Sequence, residues 1–218
     1  MKEPISVVVP AYNEAGRIGR VLKTLTSAKG KGLVDEIIVI DDGSKDGTKN
    51  IALQFPVKLI VFEENKGRGA ALAKGLEVAK NDLVMFLDSD LIGLTVAHVE
   101  HLLTPMLQND KVMMTVGVVC GHNKRSRFGN MLSFPSGQRV VRKSWAQKVP
   151  GLEQSHYGAD TALMRYARKQ KIKTVKIYLY KVSQVFREQK VNPVVALPHR
   201  ARVHFHTLKT TAKSIRWK

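Results

Sequence analysis

Leu83-Val84-Met85-Phe86-Leu87-Asp88-Ser89-Asp90 is the stretch on which the fold turns. Five apolar residues run without a break and stop at two carboxylates one residue apart. A run that short, bounded by polar residues, suits a buried strand better than a helix. The pattern recurs upstream. Ile5-Ser6-Val7-Val8-Val9 is closed by Pro10 and followed by Asn13 and Glu14, and Glu36-Ile37-Ile38-Val39-Ile40 ends at Asp41-Asp42-Gly43-Ser44. Lys58 to Phe62 is a further strand. Helical spacing fills the intervals: Arg17 to about Ala28 with Ile18, Val21, Leu22 and Leu25 on one stripe, then Thr48 to Gln54, Gly69 to Ala79, and Thr95 to about Asn109. Nearly all-apolar strands separated by helices define an α/β chain with a mostly parallel sheet covered on both faces. The polar residues gather where the strands end, the edge at which open α/β sheets bind ligands.

Asp88 and Asp90 carry the strongest chemical signal. If the chain is still extended there, their side chains point the same way, and paired carboxylates repel unless a cation lies between them. A hard divalent ion, Mg2+ or Mn2+, shared with phosphate oxygens meets that need; helix capping is the plainer alternative. No Gly-x-Gly-x-x-Gly follows the first strand and no Walker motif occurs, which disfavours dinucleotide-dependent dehydrogenases and P-loop ATPases. Asn65-Lys66-Gly67-Arg68-Gly69 is a basic, glycine-rich turn before a helix, able to hold a phosphate or simply to start the helix.

Composition locates the rest. The chain has 218 residues with 36 Lys+Arg against 18 Asp+Glu, a formal +18. Residues 1–110 hold 13 basic and 15 acidic residues, and residues 111–218 hold 23 basic residues against only Glu153, Asp160 and Glu188. A near-neutral first half is thus joined to a half at +20. Such an excess calls for an anionic partner. Nucleic acid is disfavoured, because acidic clusters at the sheet edge would repel phosphates and no reader motif is present. The chain is expected to form one domain in two halves, 1–110 and the basic 111–218. In the second half, Val112 to Cys120 and Thr174 to Leu179 are expected strands, Gly158 to Gln170 a helix, Gln138 to Trp145 a short strand or turn, and His122 to Ser136 a mobile loop. The single cysteine, Cys120, excludes an internal disulfide. No leader-like segment or span of about 20 apolar residues occurs, so a cytoplasmic location, with attachment to a membrane surface left open, is expected.

Four motifs in order, Val7-Val8-Val9-Pro10-Ala11-Tyr12-Asn13-Glu14, Val39-Ile40-Asp41-Asp42-Gly43-Ser44-Lys45-Asp46-Gly47-Thr48, Asn65–Gly69 and Phe86-Leu87-Asp88-Ser89-Asp90, resemble the inverting family 2 glycosyltransferases of the GT-A fold. The branch nearest in flavour contains the dolichyl- and polyprenyl-phosphate sugar synthases. Ser136-Gly137-Gln138-Arg139 and His156-Tyr157-Gly158-Ala159-Asp160 look like the later motifs. The resemblance implies a nucleoside diphosphate sugar donor, with Pro10, Ala11, Tyr12 and Glu14 lining its pocket, Asp41 or Asp42 at the base or ribose, Lys66 nearby and Ser89 alongside. It implies metal binding at Asp88 and Asp90, cationic help from Arg139, Arg142, Arg125 or Arg127 with Gln138 beside them, and Asp160 as base or orienting group. A third metal contact common in that branch falls here on Ile92, leaving His204 or His206 as alternatives. The acceptor implied is a polyprenyl phosphate or other membrane-associated anion, with Trp217, Phe205 and Leu208 at the interface. A soluble phosphorylated molecule or a glycan is the alternative.

Overall fold

The computed structural model describes residues 3–120 and 136–184. Its elements are β1 (Ile5–Ala11), α1 (Ile18–Gly30), β2 (Glu36–Asp41), α2 (Thr48–Ala52), β3 (Lys58–Val61), α3 (Arg68–Val78), β4 (Leu83–Phe86), β5 (Leu91–Ile92), α4 (Val96–Gln108) and β6 (Val112–Cys120). Then follow β7 (Arg139–Arg142), α5 (Lys143–Ala146), a 3-10 turn at Glu153–Gly158, α6 (Ala159–Lys169), β8 (Lys173–Tyr180) and β9 (Ser183–Gln184). Seven strands form one sheet in the order β3-β2-β1-β4-β7-β6-β8, and β5 pairs separately with β9.

The strands β3, β2, β1 and β4 are parallel, as their apolar character requires. Along β1, Val7 and Val9 pack toward α1 and α4, while Val8 packs toward α3, and all three are fully buried. β1 continues through Pro10 to Ala11 rather than stopping at the proline. Val8 accepts from the Leu87 amide on the β4 side, and β4 itself ends at Phe86, so the donor that Pro10 lacks falls where no strand remains to receive it. Thr95 caps α4 as its sequence suggests: its hydroxyl accepts from the His98 amide while the His98 ring accepts from the Thr95 amide.

Close packing of α3 on β1 depends on Gly75. A Cβ there would lie 2.3 Å from Val8 Cγ1, and Val8 is held on every side. Gly75→Val is expected to destabilise the fold by about 2–3 kcal/mol, seen as a lower denaturation midpoint with an unchanged m-value.

The second half departs from the parallel rule. β7 runs antiparallel to both β4 and β6 and sits between them. Its entry end, Arg139, pairs with Phe86 and its exit end, Arg142, with Leu83. The segment just before β7 therefore arrives at the carboxyl edge of the first-half strands. Cys120 is buried at the end of β6, and its thiol donates to the Val118 carbonyl at 3.4 Å.

Candidate active site

Three loops leave the carboxyl edge and are stitched to one another. In the loop after β1, the Asn13 amide donates to Ser44 Oγ at 2.9 Å and the Glu14 amide to Thr48 Oγ1 at 2.7 Å. The Asp46 carboxylate accepts from the amides of Ala15 (3.1 Å) and Thr48 (2.9 Å) and from the Thr48 hydroxyl. Burial opposes its ionisation, but these donors outweigh burial and hold the Asp46 carboxyl below its usual pKa. A depressed carboxyl stabilises the fold above its unfolded value of 3.8 and loses that contribution as pH falls through the folded value. The melting-temperature gap between the wild type and Asp46→Ala is therefore expected to close below about pH 4.

The two adjacent aspartates at the end of β2 have separate duties. Asp42 spends its carboxylate on the turn before α3: Oδ1 accepts from the Lys66 amide at 2.7 Å, and Oδ2 from the Gly67 amide at 2.9 Å and the Asn65 carboxamide at 3.0 Å. Burial raises its pKa against those donors. Asp42 thus anchors the Asn65–Gly67 turn. Lys66 meets Asp42 through its amide, and its ammonium lies 5.3 Å from the centroid of the Phe62 ring. Asp41 is less fully engaged. Its Oδ1 accepts from the Ser44 amide at 2.9 Å, while its buried Oδ2 has no partner among the described residues. Pro10 and Ala11 are buried beside it and Tyr12 is exposed.

Asp88 lies at the centre. β4 ends at Phe86 and Ser89–Asp90 form a turn, so the two carboxylates are not successive teeth of an extended strand. Asp88 Oδ1 pairs with Arg68 Nη1 at 2.6 Å, and Oδ2 accepts from the Gln138 carboxamide at 2.7 Å and from the Gln184 carboxamide. Ser89 and Asp90 are buried next to it. Asp160, in the first turn of α6, accepts from Arg68 Nε at 3.1 Å on Oδ2 and pairs with Arg139 Nη2 at 2.9 Å on Oδ1. One guanidinium thus joins Asp88 to Asp160. Burial works against the charge on Arg68, but Asp160 and Asp88 overcome it and push its pKa up. Arg139 is fully buried, and burial pulls its pKa down against the attraction of Asp160. Arg139 also donates to the Ser136 carbonyl.

The fold therefore links Asp88, Gln138, Arg139 and Asp160 in one cluster with Arg68, with Ser89 and Asp90 buried next to Asp88 and Asp41 ending β2 at the same sheet edge. Arg142 is a correction: at the far end of β7 it pairs with Glu3 and, at 3.7 Å, with Asp82, on the opposite edge of the sheet. It lies three positions along β7 from Arg139, and the antiparallel direction of β7 puts Arg139, not Arg142, at the site edge. The expectations for Arg125, Arg127, His204, His206, Phe205, Leu208, Trp217 and a mobile His122–Ser136 loop fall on positions that, Ser136 aside, lie outside the described residues. Two site residues went unnoticed. Arg68 stands inside the basic turn, where a cation opening a helix was a usable signal. Gln184 reaches Asp88 only because β9 pairs with β5, a contact across 96 positions that no local pattern announces.

A parallel sheet with a ligand edge built from the ends of β1, β2 and β4, entered by an antiparallel strand from the second half, is the GT-A glycosyltransferase architecture. The chain belongs to the glycosyl transferase family 2, whose family model matches residues 6–168. It is 38% identical over 120 residues to glucosyl-3-phosphoglycerate synthase of Mycolicibacterium smegmatis, covering 52% of this chain and 39% of that one. It is 33% identical over 161 residues to undecaprenyl-phosphate 4-deoxy-4-formamido-L-arabinose transferase of Aeromonas hydrophila, covering 71% of this chain and 46% of that one. The crystal structure of glucosyl-3-phosphoglycerate synthase from Mycobacterium tuberculosis with Mn2+, UDP and glucosyl-3-phosphoglycerate matches with a TM-score of 0.69 at 25% identity, covering 85% of this chain and 73% of that one. Another structure of that enzyme contains Mg2+ and UDP. The chain spans less than half the length of either curated relative. Among the described residues no helix is long and apolar enough to cross a membrane.

Proposed function

We propose that this protein transfers a sugar from a uridine diphosphate sugar to a phosphate-bearing acceptor by a single inverting displacement, with the donor on the 1–110 half and the acceptor on the 111–218 half. The observation that carries this reading is the Asp88–Arg68–Asp160 bridge, which puts a donor-side and an acceptor-side carboxylate within reach of one guanidinium. Asp41 Oδ2, buried without a described partner, is the acceptor atom for the base or ribose, with Pro10 and Ala11 at the end of β1 and Tyr12 and Glu14 in the loop after it.

The residues fit a hard divalent cation. Asp88 already pairs with a cation, Asp90 is buried beside it, and no third His, Cys, Asp or Glu completes a protein-only cage among the described residues. Two carboxylates with the remaining positions left to phosphate oxygens and water is the Mg2+ and Mn2+ habit. Asp88 and Asp90 would hold such an ion where it would offset negative charge growing on the leaving diphosphate. Arg68 and Arg139 add fixed positive charge at the same edge. Asp160 orients the acceptor. If the acceptor oxygen belongs to a phosphate it is already anionic, and no proton need be removed.

Within that class, a lipid phosphate at an anionic membrane is the reading favoured by the surface. Lys173, Lys176 and Lys181 are exposed along and just after β8, and Tyr178 and Tyr180 beside them are 53% and 55% exposed. Lys or Arg near an anionic surface adds about 1 kcal/mol each. The second reading, a soluble phosphorylated acid, rests on the similarity to glucosyl-3-phosphoglycerate synthase. Sedimentation with anionic and neutral vesicles at physiological salt separates them: preferential anionic binding supports the lipid acceptor, and no binding supports the soluble one. The anomeric configuration of the product, read by NMR, tests the displacement, and retention would overturn it.

Gly137 offers a more local check. A Cβ there would lie 2.6 Å from both Asp88 oxygens and 2.4 Å from Arg68 Nη2. Gly137→Ala is expected to keep the fold while lowering kcat about 100-fold, the usual result of displacing a reacting group by about 1 Å. Steady-state kinetics beside a thermal melt would show it.

A further inference from the structure

We infer that Arg68 is a resident cation that holds the Asp88 carboxylate until a divalent ion displaces it, so that metal arrival and release of the guanidinium toward the diphosphate are one event. This rests on the reading of Asp88 as a metal-binding carboxylate and adds to it a role for a residue of a different charge.

The geometry argues for exchange over sharing. Asp88 Oδ2 is engaged by two carboxamides, from Gln138 and Gln184. Oδ1 faces Arg68 Nη1 at 2.6 Å. The approach is crowded from the side as well, because Gly137 sits so close that even a methyl group would overlap both Asp88 oxygens and Arg68 Nη2. A second cation bound at Oδ1 meets a guanidinium already there, and two positive charges at van der Waals distance repel. Arg68 is nevertheless kept in the site after leaving Asp88. Its Nε stays on Asp160 at 3.1 Å, and its Nη2 lies 3.4 Å from the Gly137 carbonyl. Nη1 is then the group set free, at the edge where the leaving diphosphate gathers charge. The same exchange explains why a partly buried carboxylate intended for a metal is stable without one: Arg68 neutralises it in the meantime.

The test is Mn2+ binding to the full chain in the absence of any sugar nucleotide, with free Mn2+ measured by electron paramagnetic resonance. If Arg68 competes, Arg68→Met binds Mn2+ about tenfold more tightly than the wild type, within the range by which neighbours of metal ligands change affinity. Arg68→Lys, which keeps the charge but cannot sit on both carboxylates at once, falls between them. Asp160→Asn removes the other anchor of Arg68, concentrates the guanidinium on Asp88 and weakens Mn2+ binding. That second variant decides the matter if Arg68→Met melts too low to assay. Opposite shifts from two residues that are not metal ligands are not the result of a merely structural role, which would weaken binding in both. Equal or weaker binding by Arg68→Met and Arg68→Lys, with Asp88→Asn losing Mn2+, would overturn the exchange alone. Wild-type Mn2+ binding by Asp88→Asn would overturn the metal site itself.

Discussion

Asp88→Asn is expected to fold and to lose sugar transfer by about three orders of magnitude, the upper range for removing one group that stabilises transition-state charge. The substitution keeps the volume and the ability to accept from Gln138 and Gln184, which already donate to Oδ2. What disappears is the negative charge, and with it both the attraction for a divalent ion and the partner of Arg68. Arg68 retains Asp160, so the structural cost is partial. A protein that melts within a few degrees of the wild type, yet neither binds Mn2+ nor transfers sugar, is the expected result. Parallel measurements of Mn2+ affinity, kcat and melting temperature distinguish it from simple unfolding.

Asp160→Ala is expected to have the largest effect on stability. It strips a carboxylate from between two guanidiniums, one of them fully buried. Removing one partner of a buried ion pair costs about 3–5 kcal/mol because the remaining charge is left without compensation. For a chain of this size that corresponds to a fall in melting temperature of roughly 6–20 °C. Asp160→Asn, which keeps the shape, isolates the chemical role. With a hydroxyl acceptor its loss of kcat should match the 100- to 10,000-fold typical of a missing general base. With a phosphate acceptor the oxygen needs no deprotonation, and the loss should be well below that of Asp88→Asn. The pair of variants thus reports on the acceptor class without knowledge of the acceptor.

The sequence is informative where function and local pattern coincide. The run Leu83–Leu87 ending in Asp88 gave both a buried strand and a site, because a parallel central strand must be apolar and must end at the ligand edge. Asp41 and Asp42 looked equivalent in sequence. Only the fold separates them, since the choice depends on which carboxylate the Asn65–Gly67 turn folds over. Arg142 looked as well placed as Arg139, three residues away, and the antiparallel insertion of β7 sends one to the site and the other to the opposite edge. Gln184 was invisible because its position is set by a two-residue strand pair far along the chain. Arg68 lay in a motif already noticed, but its reach to two carboxylates from different halves of the chain is a tertiary fact.

The split charge has a physical counterpart in the site. The first half supplies Asp41, Asp88 and Asp90 along the edge, and the second supplies Gln138, Arg139 and Asp160 across it. Arg68 is the first-half residue that spans the divide, which is why its removal should alter metal affinity and transfer in opposite directions.

Calorimetric titration of the protein with UDP-sugars, with and without Mn2+, tests the central claim most directly. Saturable binding that requires Mn2+ and vanishes in Asp88→Asn is the result expected. Failure of any nucleoside diphosphate sugar to bind, or equal Mn2+-dependent binding by wild type and Asp88→Asn, would contradict it.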